Sequence, residues 1–172
     1  MSNLLTRFYA LLCALSALAM VSTFLIVMLG IVGRETGLIT VGGLDAYAGY
    51  AIAAALFLAL PETLRRGDHI RVTLLLQRLP QRGRAALELW GAAAGFALSA
   101  FLAWYAARLV WISFATHDVS PSSDATPLWL PQLAMALGCA GLAVSMAHAL
   151  ACQLKGRSFF VAAPAGEAAH VE

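Results

Sequence analysis

Residues 90–111 read WGAAAGFALSAFLAWYAARLVW, an apolar stretch with no charged residue before Arg108. Its first and last residues, Trp90 and Trp111, are separated by 21 positions, which corresponds to about 31 Å of α-helix. The hydrocarbon core of a bilayer is about 30 Å thick, and indole rings concentrate at its two interfaces. The stretch therefore predicts a helix that crosses a membrane, with one tryptophan at each surface.

Three further apolar stretches of similar length lie along this chain of 172 residues, of which 61% are hydrophobic and 12% charged. Soluble domains carry about 25% charged residues. The predicted spans cover residues 8–32, 44–64, 85–112 and 128–152. They indicate an all-α integral membrane protein with four transmembrane helices in one domain, residues 1–157. We expect the tail, residues 158–172, to be disordered and cytoplasmic.

Basic residues are concentrated on one side of the predicted spans. The other side carries only Arg34 and Arg108. Because cytoplasmic loops of membrane proteins are enriched in Lys and Arg, we expect both termini and the joint between the second and third spans to be cytoplasmic. The basic residues of this side are Arg7, Arg65, Arg66, Arg71, Arg78, Arg82, Arg84, Lys155 and Arg157.

The joint between the second and third spans contains an amphipathic pattern at residues 69–79. Val72, Leu75, Leu76 and Leu79 follow the i, i+3, i+4, i+7 spacing of one helix face. Arginines on either side of this face can reach lipid phosphates. We therefore expect a membrane-parallel helix here, between the second and third transmembrane helices.

The middle of each predicted span contains no Asp, Glu, Lys or Arg. Ion-coupled and proton-relay sites within membranes normally use such groups, or else a broken helix, and we expect no span to be broken at its centre. We therefore expect no substrate-binding site in this chain. The three cysteines form no CxxC pair, and His148 is better explained as a hydrogen-bonded packing residue than as a metal ligand, so we expect no catalytic residue, no metal site and no cofactor. The sequence lacks the basic and aromatic surface that nucleic-acid binding requires, so we expect no nucleic-acid partner.

Small residues recur every fourth position along the third span, a spacing that lets helix backbones approach closely. We favour packing of these residues against another helix of the same chain over a contact between two subunits. The fourth span has a shorter series, residues 141, 145 and 149. At the other side of the membrane, Arg34 and Asp45 are placed to form an ion pair between the first two helices, which is a hypothesis. The members of the predicted packing stripe are Gly91, Gly95, Ser99, Ala103 and Ala107.

Several segments together resemble the small permease subunit of tripartite ATP-independent periplasmic (TRAP) transporters, the DctQ type. The likeness extends over residues 8–155, and its most distinctive part follows the second span. The resembling residues are Arg34, Leu44 to Tyr47, Arg65, Gly67, His69, Ile70, Val72, Leu79-Pro80 and Thr126-Pro127.

The resemblance implies a multi-pass subunit of the bacterial cytoplasmic (inner) membrane that is not an enzyme. It would act as a scaffold for a large permease subunit, which moves the substrate by an ion-gradient-driven mechanism. A periplasmic substrate-binding protein would deliver that substrate, an organic acid, and the small subunit would help it dock. Membrane lipids are the remaining expected partner.

The residues alone leave two other classes of function open. A small self-sufficient transporter working as a homodimer would need a central carboxylate or a broken helix. A four-helix membrane redox enzyme would need paired cysteines or facing histidines within its spans. Neither feature is found in the sequence, so both classes are less favoured than a supporting subunit.

Overall fold

A computed structural model of the chain describes residues 3–37, 42–66, 80–121 and 125–155. These residues form four helices, each long and apolar enough to cross a membrane, and no strand beyond an isolated β-bridge. The all-α membrane fold predicted from the sequence is confirmed. The predicted membrane-parallel helix, residues 69–79, and the tail lie outside the described residues. The helices are α1 (Asn3–Thr36), α2 (Leu44–Arg66), α3 (Gln81–Ala115) and α4 (Trp129–Leu154).

Glycines end α1 and begin α2. Gly37 adopts a φ of +65°, and its N–H donates to the carbonyl of Gly33 at 3.1 Å, which is the usual left-handed end of a helix. Gly43 has a φ of +86°, and its carbonyl accepts the N–H groups of Ala46 and Tyr47 at 3.0 and 3.2 Å. Both conformations disfavour side chains, so these two glycines fix where the chain turns.

The four helices lie side by side in the order α1, α2, α4, α3. α1 packs on α2, α2 on α4, and α4 on α3, while α1 touches α4 only slightly. The central helices α2 and α4 are accordingly the more buried, and α1 and α3 expose most of their apolar side chains. The described residues thus form an open row of helices rather than a closed bundle.

Close backbone approach joins α2 to α4 at the centre of the row. Pro61 has no N–H, so the carbonyl of Phe57, four residues earlier, lacks its intrahelical donor. Gly138 lies directly against that carbonyl, and a Cβ at Gly138 would be only 2.8 Å from the Cβ of Phe57. At Gly141 a Cβ would be 2.8 Å from Leu12 and from Pro61. These two glycines therefore allow the helix axes to come close enough to pack.

Serine hydroxyls add polar contacts between helices. Ser145, which is fully buried, donates from Oγ to the carbonyl of Pro61 at 3.2 Å. Ser16 donates to the carbonyl of Ala55 at 2.7 Å. Such bonds between transmembrane helices contribute about 0.6 kcal/mol on average. They support the α1–α2 and α2–α4 contacts but do not replace packing as the main source of cohesion.

Adding one methyl group at the α2–α4 contact should destabilise the protein. We expect Gly138→Ala to lower the free energy of unfolding by about 1–3 kcal/mol, because the backbone of Phe57 cannot move aside without displacing α2. The measurement is unfolding in mixed detergent micelles at increasing sodium dodecyl sulfate.

Gly49→Ala is the matched control, because Gly49 is in α2 but no heavy atom lies within 4 Å of its added Cβ. This variant should keep or slightly gain stability, since alanine is the better helix former. Equal stability of the Gly138→Ala and Gly49→Ala proteins would show that the α2–α4 contact is not closely packed.

Candidate functional site

Several hydroxyl groups within the helices donate to backbone carbonyls of their own helix. Thr23 Oγ1 donates to the carbonyl of Ala19 at 2.9 Å, and Ser99 Oγ donates to the carbonyl of Phe96 at 3.0 Å. Among the described residues, no group of three His, Cys, Asp or Glu side chains could hold a metal ion.

A cluster of hydrogen bonds surrounds the ends of the helices on the side of the α1–α2 joint. This surface, termed the tyrosine rim, comprises Arg34, Asp45, Tyr47, Tyr50 and the α3–α4 loop, residues 116–121 and 125–128. Arg34 Nη2 lies 2.8 Å from each carboxylate oxygen of Asp45. The two side chains are 69% and 87% exposed. What this ion pair contributes to assembly stays a prediction.

The α3–α4 loop within the tyrosine rim folds back on itself. Its Ser120 N–H donates to the carbonyl of Thr126 at 2.8 Å, and the Leu128 N–H donates to the carbonyl of Asp118 at 3.0 Å. His117 and Ala125 have φ values of 54° and 49°, in the left-handed region that non-glycine residues seldom adopt. The hydrogen bonds hold these two residues in the turns that reverse the chain.

Two tyrosines of α2 attach this loop to the helix row. Tyr50 Oη donates to Ser120 Oγ at 2.7 Å, and Tyr47 Oη shares a 2.8 Å hydrogen bond with Thr126 Oγ1. The two rings meet edge to face, with their centroids 6.3 Å apart. Since Ser120 is buried, the loop is a fixed part of the rim. No local pattern in the sequence predicts these contacts, because they join residues that are 70 and 79 positions apart.

The opposite end of α2 carries three charged side chains, Glu62, Arg65 and Arg66, which we term the arginine end. Arg66 Nε donates to Glu62 Oε1 at 3.1 Å, and Arg65 Nε lies 3.7 Å from Glu62 Oε2. The guanidinium carbon of Arg65 is 5.4 Å from the ring centroid of Tyr9, whose side chain is fully buried.

Arg65 is the first residue of the family-like segment identified in the sequence. Its other members, Gly67, His69, Ile70 and Val72, lie outside the described residues. Arg65 itself is firmly placed, because its guanidinium stacks on α1 through Tyr9 while Glu62 holds it from its own helix. The arginine end therefore connects α1 and α2 as well as bearing charge.

The predicted packing stripe of α3 occupies more than one face of the helix. Ser99 is buried, Gly95 and Ala103 are partly buried, and Gly91 and Ala107 are exposed. A Cβ at Gly95 would be 3.2 Å from Met146 Sδ of α4, so the middle of the stripe faces α4. The role of the whole series stays a prediction.

The buried side of α3 follows a different spacing, with Ser99, Ala106 and Ser113 all nearly inaccessible. These residues are seven apart, and seven residues drift by only about 20° around a straight helix. A strict four-residue series drifts by about 40° at each step, so it leaves the contact face within two or three steps. A spacing of seven residues between small side chains is therefore the sequence pattern that could have identified the face of α3 that contacts α4.

One family matches the chain over most of its length. The model of the family described as "Tripartite ATP-independent periplasmic transporters, DctQ component" matches residues 23–156. This range runs from the middle of α1 to the end of α4, and so includes both the tyrosine rim and the arginine end. No curated protein and no solved structure gives a significant match to the chain.

The Arg34–Asp45 ion pair should contribute little to stability and should depend on salt. A double-mutant cycle with Arg34→Ala and Asp45→Ala should give a coupling energy of about 0.2–1 kcal/mol at low salt, as for other exposed pairs. The coupling should shrink as ionic strength rises, because salt screens exposed charges. No coupling at low salt, or coupling unchanged at high salt, would refute the ion-pair hypothesis.

Removal of one tyrosine hydroxyl should loosen the α3–α4 loop. We expect Tyr50→Phe to cost about 1 kcal/mol through the lost hydrogen bond to Ser120, and to speed amide hydrogen exchange in the loop. The control, Tyr105→Phe, removes the hydroxyl of an exposed tyrosine on α3 and should leave exchange in the loop unchanged. Equal exchange rates in the wild type and Tyr50→Phe would mean that the tyrosine does not hold the loop.

Proposed function

The chain belongs to the DctQ component family of tripartite ATP-independent periplasmic transporters, and from this we propose that it is a supporting subunit which does not itself bind the substrate. Membership confirms the family resemblance of the sequence and makes the chain a multi-pass membrane component of a transporter. In the proposal, a large permease subunit carries the substrate and the driving ion, and this chain positions that subunit in the bilayer.

The observation that carries the proposal is the lack of any charged residue in the middle of the four helices. A solute or ion held at the bilayer midplane needs charged groups or unwound backbone. α1, α2, α3 and α4 are each continuous, and the hydroxyls of Ser16 and Ser99 bond to backbone carbonyls. These two hydroxyl groups thus serve the packing and hydrogen bonding of the helices themselves.

The open row of helices suits the proposed partner. A closed bundle hides its helix faces, whereas this row presents two broad sides. Leu18, Met20 and Phe24 of α1 and Leu98 and Trp104 of α3 are each more than 60% exposed. We infer that the large permease subunit packs along this row. The exposed surface there is apolar, so the two subunits can meet without the cost of burying charged groups.

The tyrosine rim is the part of the chain that we assign to docking of a periplasmic binding protein. It is fixed by hydrogen bonds from Tyr47 and Tyr50, and it presents the exposed charges of Arg34 and Asp45. A surface that is ordered before contact loses less conformational entropy on binding. In this orientation the termini and the arginine end face the cytoplasm, as the distribution of basic residues favours.

The proposal places the chain in the bacterial inner membrane, in a secondary transporter driven by an ion gradient. The substrate class, an organic acid, comes from the family resemblance and involves no residue of this chain. Lipid contacts of the exposed helices complete the expected partners.

Co-purification tests the proposed partnership. Two differently tagged copies of the full chain are expressed together in cells that contain the complete transporter, and the membranes are solubilised in mild detergent. Retrieval through one tag should bring down a much larger membrane protein and little of the other tagged copy. The Gly49→Ala protein, a packing-neutral variant, should behave in the same way.

Retrieval of the second tagged copy without a larger protein would contradict the proposal and favour a self-sufficient homodimer. Retrieval of the chain alone would contradict it as well. A bound redox group in the purified chain would favour the membrane-enzyme alternative.

A further inference from the structure

A cleft of about 390 Å³ lies between α1 and α2 at the arginine end. Small side chains of α1 form one wall, which we term the alanine wall: Ala10, Cys13, Ala14 and Ala17. The three alanines are exposed, so the cleft opens sideways from the helix row. The charged side chains of the arginine end, which belong to α2, close one end of the cleft.

The two parts of the cleft differ in polarity along the helix axis. Its lining on α1 runs from Thr6 to Ala17, which is about 17 Å at the rise of an α-helix. This is roughly half of a 30 Å hydrocarbon core, hence the depth of one lipid leaflet. The charged side chains lie at the last turn of α2, where that leaflet meets water.

The charges at the end of the cleft sum to a net positive value. Arg65 and Arg66 contribute two positive charges, and Glu62 neutralises one of them through its contacts with both guanidinium groups. The charged residues that line the cleft therefore carry one net positive charge in sum, beside an apolar groove. The Arg65 side chain is only 15% exposed, and its Nε has no hydrogen-bond partner among the described residues.

We propose that this cleft holds one anionic phospholipid, with the phosphate against Arg65 and Arg66 and one acyl chain along the alanine wall. The charge of a single phosphate diester matches the one net positive charge of the site. Guanidinium groups bind phosphate oxygens well because their N–H donors lie in a fixed plane. The small side chains leave room for a chain of methylene groups against the backbone of α1.

The charge at one end of the cleft distinguishes this occupant from a transmembrane helix of a partner. A partner helix would have to place an anionic side chain against Arg65 and Arg66, whereas a phospholipid carries its phosphate next to its acyl chains. A soluble phosphate ion would use the arginine end but would leave the alanine wall without a role. The lipid alone uses both parts of the cleft, and its binding needs no other subunit.

Native mass spectrometry of the full chain tests the proposal. The protein, released from nanodiscs of equal parts phosphatidylglycerol and phosphatidylcholine, should retain one phosphatidylglycerol in preference to phosphatidylcholine. Removal of both arginine charges in Arg65→Gln/Arg66→Gln should reduce this preference by about fivefold per charge, the usual value of a basic residue near an anionic lipid. Ala14→Phe should abolish retention by filling the groove while leaving all charges in place.

Arg108→Gln is the control for charge removal, because Arg108 is an exposed arginine on α3, away from the cleft. It should retain phosphatidylglycerol as the wild type does. Equal loss in Arg108→Gln, or no preference for phosphatidylglycerol in the wild type, would overturn the proposal. So would full competition by glycerol phosphate, which carries the headgroup charge without an acyl chain.

A photo-crosslinking residue at Ala14 tests the occupant in the assembled transporter. Irradiation of native membranes should attach a phospholipid to this position. Attachment to another polypeptide instead would show that a protein fills the cleft and would overturn the proposal. This outcome leaves the supporting role of the chain intact, so the two proposals fail separately.

Discussion

The close contact of α2 with α4 is the constraint on which the rest of the structure depends. Each of these helices pairs with one neighbour in sequence, α2 with α1 and α4 with α3, and the contact between α2 and α4 is the main one that joins the two pairs. In lipid there is little hydrophobic gain when two apolar helices meet, so cohesion relies on tight packing. Gly138 and Gly141 supply it at the carbonyl of Phe57 and the ring of Pro61. Pro61 thus removes a hydrogen bond from α2 at the place where α4 covers the carbonyl that is left without a donor.

The helices form an open row because few close helix–helix contacts join them. This arrangement limits the functions that the chain can perform. α1 and α3 lie at the two ends of the row and expose most of their apolar side chains. Surface of this kind suits lipid or another membrane protein, whereas a transport pathway needs polar groups enclosed between helices. The two surfaces to which we assign functions in our proposals are accordingly at the ends of the helices. The tyrosine rim is held by side-chain hydrogen bonds, and the arginine end combines charge with a lateral cleft.

The four helices could be predicted from the sequence because hydropathy over a span depends on local composition alone. Trp90 and Trp111 are 70% and 71% exposed, as expected of residues at membrane interfaces. The spatial order of the helices could not be predicted in this way, since it depends on which small residues face each other. Gly138 lies outside the four-residue series at 141, 145 and 149, and its partner is a carbonyl freed by a proline 77 positions away. The bond between Tyr50 and Ser120 joins residues separated by 70 positions, for which no local pattern exists.

Uptake by the chain alone tests the central claim, that this polypeptide supports a transporter without carrying its substrate. The full chain is reconstituted in liposomes with an inward ion gradient, a soluble binding protein and a labelled organic acid, and parallel liposomes also contain the large permease subunit. We expect uptake above that of empty liposomes only when the large subunit is present. Gradient-dependent uptake by liposomes that contain this chain without the large subunit would contradict the account.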